Sequence, residues 1–193
     1  PRGSIYGFLG PNGAGKTTAI KIILGLIAAS RGQVKVLGEE IRFGQQMSWL
    51  KKAGYLPQDP VFPDNLTGTE VLELVGEIYR MESRACTKRA AGLLQELRLE
   101  EAAGRKVRAY SRGMKQRLGL AAVLLTDPEL LILDEPVSAL DPEGRYKILK
   151  AIESLRGGAT VFFSSHILAD VEQVCDRLAI IKEGVKLVEA ETK

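Results

Sequence analysis

Ile5-Tyr6-Gly7-Phe8-Leu9-Gly10-Pro11-Asn12-Gly13-Ala14-Gly15-Lys16-Thr17-Thr18-Ala19-Ile20 decides how this sequence reads. Ile5–Leu9 is short and apolar, as a buried strand is. Gly10–Gly15 is rich in glycine, and Lys16–Ile27 then carries Ile20, Ile23, Leu24 and Ile27 at helical spacing. Gly10 to Thr17 fits GxxxxGK[ST] between a predicted strand and a predicted helix, which is the context the pattern requires. Glycines let backbone N–H groups turn inward around a phosphate, and the new helix presents its positive end to the same anion. Asn12, Gly13, Ala14, Gly15, Lys16, Thr17 and Thr18 are therefore candidates for holding nucleotide phosphates. On this reading Lys16 reaches the β- and γ-phosphates and the Thr17 hydroxyl is a ligand for Mg²⁺. The alternative, a tight glycine turn with an accidental Lys-Thr, leaves the flanking strand and helix unexplained.

Further along, Leu130-Leu131-Ile132-Leu133 is an uninterrupted apolar run, as a central parallel strand is, and it ends in Asp134-Glu135. Open α/β sheets bind ligands at the carboxyl ends of their strands. Asp134 is expected there as a Mg²⁺ ligand through water, and Glu135 as the group that polarises an attacking water. Val34–Leu37, Ala53–Leu56, Thr160–Phe163, Leu178–Ile181 and Val185–Val188 also read as strands, the last two joined by a turn at Glu183-Gly184. Glu143–Leu155 and Leu168–Val174 read as helices. From Thr69 to Leu125 the pattern is helical without a clear strand, with helices over Thr69–Tyr79, Arg84–Leu97 and Ser111–Leu125. The expected class is α/β: a P-loop NTPase fold, a mainly parallel sheet flanked by helices, with an inserted α-helical subdomain. Residues 1–58 and 126–193 are expected to form the catalytic core of one domain, and residues 59–125 the helical subdomain.

Composition agrees with one domain. The chain has 193 residues, 45% of them hydrophobic and 26% charged, which is ordinary for a soluble globular protein. A chain of this size buries roughly 70% of its unfolded surface. The 27 Lys and Arg exceed the 24 Asp and Glu by too little to argue for nucleic acid, so an anion here needs a local site. Cys86 and Cys175 lack CxxC partners, which disfavours a metal site or disulfide framework and favours a reducing cytosol. No apolar run approaches the ~18 residues of a membrane span, and no signal peptide is visible at Pro1. Service at a membrane would go through a partner.

With the phosphate loop and the acid-tipped strand in place, the sequence resembles the nucleotide-binding domain of ABC ATPases over nearly its whole length. Gln58, after Tyr55-Leu56-Pro57, resembles the family's Q-loop glutamine, whose amide touches Mg²⁺ or the attacking water. Ser111-Arg112-Gly113-Met114-Lys115-Gln116-Arg117 resembles the signature motif. The resemblance implies that Ser111 and Gly113 bind the γ-phosphate held by an opposite subunit. Tyr110 and Arg112 depart from the usual leucine and glycine, in a variant similar to that of exporters with a separately encoded permease. Ser111 also reads as a helix N-cap. Ser138-Ala139-Leu140-Asp141 resembles the D-loop, which meets the partner subunit, and Asp141 before Pro142 reads equally well as a cap. His166, the only histidine, resembles the switch histidine that contacts the γ-phosphate.

The resemblance thus implies Glu135, His166 and Lys16 as catalytic residues. Thr17, Gln58 and Asp134 would serve the metal, and Ser111, Gly113 and Asp141 would join the nucleotide site. It implies ATP and Mg²⁺ as cofactors, a homo- or heterodimer of ATPase domains with each ATP between two subunits, and transmembrane permease subunits. The place of action would be the cytoplasmic face of the membrane, peripherally, with hydrolysis powering transport. The family's adenine-stacking aromatic lies well upstream of the phosphate loop, where only 15 residues precede Lys16, so the chain is expected to start inside its domain. A soluble ABC ATPase acting on ribosomes or DNA is the competing reading. The absence of a heptad array between Thr17 and Leu133 disfavours the coiled-coil repair type. A regulator that does not hydrolyse is a third reading, and Glu135 and His166 argue against it.

Overall fold

Leu130–Leu133 (β5) is buried at every residue, with parallel neighbours on both sides. The computed structural model describes residues 2–45, 47–138 and 140–192. In chain order the elements are β1 (Ile5–Leu9), α1 (Lys16–Ile23), β2 (Lys35–Val36), β3 (Glu39–Glu40), β4 (Ala53–Leu56), α2 (Gly68–Ile78), α3 (Ser83–Glu96) and α4 (Arg112–Leu125). They continue with β5, α5 (Pro142–Ser154), β6 (Thr160–Ser165), α6 (Leu168–Val174), β7 (Arg177–Lys182) and β8 (Val185–Glu191). The main sheet has the order β4-β5-β6-β1-β7-β8 and is parallel except for β8. β6 therefore lies between the strand that launches the phosphate loop and the strand that ends in the two acids.

Helices α2, α3 and α4 follow one another and pack together. Thr67 starts α2 with a capping box: its hydroxyl accepts the Glu70 N–H, and the Glu70 carboxylate accepts the Thr67 N–H at 2.7 Å. The larger core cluster joins these helices to β1, β5, β6, α5 and α6. A smaller cluster of Ile20, Leu24, Met47, Trp49, Ala53, Leu130 and Ile132 lies under α1.

Besides shifts of one to three residues at several element ends and the unread two-residue β3, two elements differ from their sequence reading. Helix α1 stops at Ile23 instead of continuing to Ile27. Gly25 takes φ 67°, the Gly25 N–H bonds the Ile22 carbonyl and the Leu26 N–H bonds the Lys21 carbonyl, which is a Schellman ending. The expected strand at Val34–Leu37 is two residues long, because Leu37 (φ 51°) and Gly38 (φ 87°) turn the chain back into β3. Leucine is rare at positive φ, so Gly38, where the sequence reading ends the strand, was the only local signal of this turn. The turn at Glu183 (φ 52°) and Gly184 (φ 77°) has the positive φ pair of a type I′ hairpin and lies where its dipeptide places it.

One face of α4 meets the core through Gly113, Gln116 and Gly119. A Cβ on Gly119 would lie 2.6 Å from Leu56 Cδ1, and one on Gly113 would lie 3.0 Å from Leu140 Cδ2. Gln116 between them is 1% exposed, and neither amide atom has a hydrogen-bond partner. Gly119→Ala is expected to destabilise by about 1–3 kcal/mol through overpacking. Gln116→Met removes an unsatisfied buried amide, worth about 1–3 kcal/mol, and should raise Tm by about 2–4 °C per kcal/mol. Calorimetry of both variants checks this, and a lowered Tm for Gln116→Met would mean that the amide is engaged.

Burial pushes the Cys175 thiol up to about 12, well above its ordinary 9.0. Between those pH values the unfolded thiol ionises and the folded one does not, so the unfolded state binds fewer protons and stability falls as pH rises. Cys175→Ala should flatten the decline of Tm above about pH 9, measured against the wild-type chain.

Candidate functional site

The loop Gly10–Gly15 leaves β1 and enters α1 with Gly13 at φ 81° and Gly15 at φ 98°, which suits residues without a side chain. Gly15 is the N-cap and offers no side chain to the first-turn amides, which stay available to an anion. Two distant segments support the loop. The Gly10 N–H donates to the Ser165 carbonyl at 3.1 Å, and the Gly184 N–H donates to the Ala14 carbonyl at 2.9 Å. A pocket of about 270 Å³ opens beside the loop, lined by Asn12, Gly13, Gly15, Lys16, Thr17, Thr18, Gln58 and Glu135. Ala14 is buried behind it, 3% exposed.

Lys16 is 4% exposed, and its ammonium has three partners: Glu135 Oε1 at 2.9 Å and the carbonyls of Gly10 at 2.7 Å and Pro11 at 3.1 Å. Glu135 is 6% exposed and sits at φ 45°, a strained setting for a residue with a long side chain. Its other oxygen, Oε2, lies 3.0 Å from His166 Nδ1. Lys16 and His166 thus both meet the Glu135 carboxylate, although the three residues follow three different strands, β1, β6 and β5.

Ser164 fixes the two acids. It is fully buried at the end of β6, accepts the Glu135 N–H at 2.9 Å and donates to Asp134 Oδ1 at 2.7 Å. The Asp134 N–H donates to the Leu56 carbonyl at the end of β4. Asp134 Oδ2 is buried without a hydrogen-bond partner. A buried carboxylate oxygen is costly in that state, so it fits a site for a cation or its water. Burial, and after it the Asp134 charge, raises the Tyr55 phenol above its ordinary 10.0, which keeps that neighbour neutral. Among the described residues no group of three His, Cys, Asp or Glu side chains is arranged to hold a metal ion. The donor set suits Mg²⁺, which is usually held by one or two protein oxygens together with phosphates.

The remaining sequence candidates lie elsewhere. Ser111 is exposed and caps α4, its Oγ accepting the Met114 N–H at 3.2 Å. Gly113 packs against Leu140, and Asp141 Oδ1 caps α5 by accepting the Gly144 N–H at 2.9 Å. None of these three lines the pocket. Ala139 of the same motif lies outside the described residues. Arg112, the bulky departure from the signature pattern, is held by Asp59, the neighbour of Gln58, with Nε at 2.9 Å and Nη2 at 2.6 Å from Oδ1. Sequence reasoning missed the bridging role of Ser164. Only its place beside His166 hinted at it, and the pairing of Phe8 with Ser164 across β1 and β6 was needed to place it.

Fold and site define a P-loop nucleotide-binding protein. A family model described as "ABC transporter" matches residues 1–138. A solved ATP-binding subunit of an ABC transporter superposes with a TM-score of 0.86 at 33% identity, over 98% of this chain and 79% of that one. The chain belongs to the ABC transporter family. An uncharacterised ABC transporter ATP-binding protein of Synechocystis sp. is 45% identical over 186 residues, 95% of this chain and 52% of the relative. The bacitracin transport ATP-binding protein of Bacillus licheniformis is 43% identical over 190 residues, 97% of this chain and 60% of the relative. A dimeric ATP-binding cassette, solved in a post-hydrolysis state bound to ADP and Pi, superposes with a TM-score of 0.89 at 27% identity, over 100% of this chain and 87% of that one. The chain spans between 52% and 60% of the length of the two curated relatives.

Lys16→Met leaves Glu135 buried beside His166 alone. Breaking a buried pair from one side costs about 3–5 kcal/mol, so this variant should melt well below the wild type at neutral pH. Lys16→Met with Glu135→Gln should recover part of the loss. A double variant no more stable than Lys16→Met would show that the pair does not hold this arrangement.

Proposed function

We propose that this chain binds ATP with Mg²⁺ and hydrolyses it, as the motor of a membrane transporter whose pore lies in permease subunits. The observation that carries this is the meeting of Lys16 and Glu135 at 2.9 Å on the wall of the glycine-loop pocket, with His166 behind Glu135 at 3.0 Å. Loop amides and Lys16 hold the β- and γ-phosphates, which is electrostatic stabilisation by preorganised donors. Lys16 exchanges its Glu135 partner for phosphate oxygens, and this frees the carboxylate. Glu135 then accepts a proton from a water molecule as the water oxygen bonds to the γ-phosphorus and the bond to the ADP oxygen breaks. His166 orients Glu135 and that water. Thr17, Asp134 through Oδ2 and Gln58 would hold Mg²⁺, which supplies charge neutralisation on the phosphates.

Residues 1–58 and 126–193 act as the core and 59–125 as a helical subdomain, a division supported by the mutual packing of α2, α3 and α4. Ser111, Gly113 and Asp141 lie off the pocket, which supports their service to a nucleotide on a second ATPase subunit in a closed, two-fold pair. Among the described residues no helix is long and apolar enough to cross a membrane. The permease therefore takes that role in this proposal, with this chain peripheral on the cytoplasmic face. A relative named for Nod factor export supports an exporter-like assignment.

Glu135→Gln should keep ATP binding and lose turnover on the order of 10²–10⁴-fold. Its mass by light scattering should double when Mg-ATP is added. Near-normal turnover would remove Glu135 from this role, and an unchanged monomer with nucleotide bound would remove the paired-site arrangement.

A further inference from the structure

His166 sits at the tip of a turn that has its own brace. Ser165 Oγ accepts the Ile167 N–H at 3.0 Å across the turn and lies 3.5 Å from Asp170 Oδ2. Asp170, in the first turn of α6, is 2% exposed. Its Oδ1 meets Arg145 on α5 twice, at 2.7 Å from Nε and 2.5 Å from Nη2. Arg145 is in turn fixed to the start of α5, since its N–H donates to the Asp141 carbonyl at 2.9 Å. A continuous series of polar contacts therefore runs from Asp141 through Arg145, Asp170 and Ser165 to the turn that carries His166.

A carboxylate as buried as Asp170 is expensive unless it is paired, and replacing such a pair by apolar groups is often neutral for stability. Helices α5 and α6 already pack together, and each buries apolar residues in the larger core cluster, Ile148 and Ile152 on α5 and Val171 and Val174 on α6. The ion pair is therefore not needed to bring the helices together. What it adds is direction. Helix α6 has seven residues and no side-chain N-cap, so the Asp170 contacts set where its first turn lies. His166, two residues before the helix, must reach a carboxylate oxygen 3.0 Å away. Misplacement of about 1 Å at a reacting centre can cost roughly 10²-fold in rate.

We propose that Arg145 and Asp170 are positioning residues for ATP hydrolysis, holding the Ser165–Ile167 turn so that His166 addresses Glu135. This rests on the assignment of Glu135 and His166 given above. The test uses Arg145→Met, Arg145→Lys, Ser165→Ala and His166→Ala in the full chain. ATP turnover, affinity for a fluorescent ATP analogue, thermal transition and the proton spectrum are measured for each. His166 is the only histidine, so its ring resonance needs no assignment. Arg145→Met and Ser165→Ala should each lower kcat roughly 10- to 100-fold, leave analogue affinity within about 2-fold and shift the His166 resonance. Arg145→Lys should recover part of kcat.

Two results overturn the proposal: wild-type kcat with an unmoved resonance in Arg145→Met or Ser165→Ala, or a fall in affinity and kcat together with that resonance unmoved. If Arg145→Met does not fold, Ser165→Ala decides, because it leaves the ion pair intact. Failure of the underlying assignment looks different. Wild-type turnover in His166→Ala would sink the catalytic role of His166, whatever the Arg145 variants do.

Discussion

Parallel pairing in the order β5-β6-β1 constrains where every charged group of this site can stand. The loop that follows β1 and the acids that follow β5 are separated by the width of one strand, and the end of that strand must bridge them. Ser164 holds the acids with one hydroxyl, accepting from Glu135 and donating to Asp134, and the Ser165 carbonyl beside it accepts from Gly10 of the loop. A slip of one residue in β6 would turn Ser164 to the opposite face and put Phe163 or Ser165 in its place. Phe163 has no hydrogen-bonding group, and Ser165 is engaged with the turn around His166. The register of one buried strand thus sets the direction of two acids and one histidine.

Within that frame, Lys16 and Glu135 hold each other. Each charge is nearly buried and each is the other's counterion, so neither is free to act on an external group without releasing its partner. An arriving polyphosphate competes for the lysine with more negative charge than one carboxylate carries. On the proposed mechanism, the event that satisfies Lys16 would leave Glu135 with His166 and a strained backbone. In the proposed mechanism, binding and activation are coupled by the exchange of a single cation.

Much of this was legible because the informative signals are local. GxxxxGK[ST] is one loop and one helix start, and the apolar run closing on Asp134-Glu135 is one strand and its exit. Caps at Ser111 and Asp141 act within three residues. The illegible parts are of another kind. Leu37 takes a backbone conformation that leucine rarely adopts, and the end of α1 turned on Gly25 in competition with a helical apolar pattern that runs on to Ile27. Ser164 with Asp134, Arg145 with Asp170, and Arg112 with Asp59 join residues 30, 25 and 53 apart. Such pairs are set by register and helix packing, which a single sequence does not contain.

The contact between Gly184 and Ala14 has a consequence for how portable the glycine loop is. Eight consecutive residues define its pattern, yet its shape is held by the carbonyl of Ser165 and the amide of a hairpin turn near the other end of the chain. Grafted onto another strand and helix, the same eight residues would bring their flexibility but not these supports. The motif is a short word in the sequence and a long-range object in space. Its transfer between scaffolds depends on carrying across a turn that no pattern search would include.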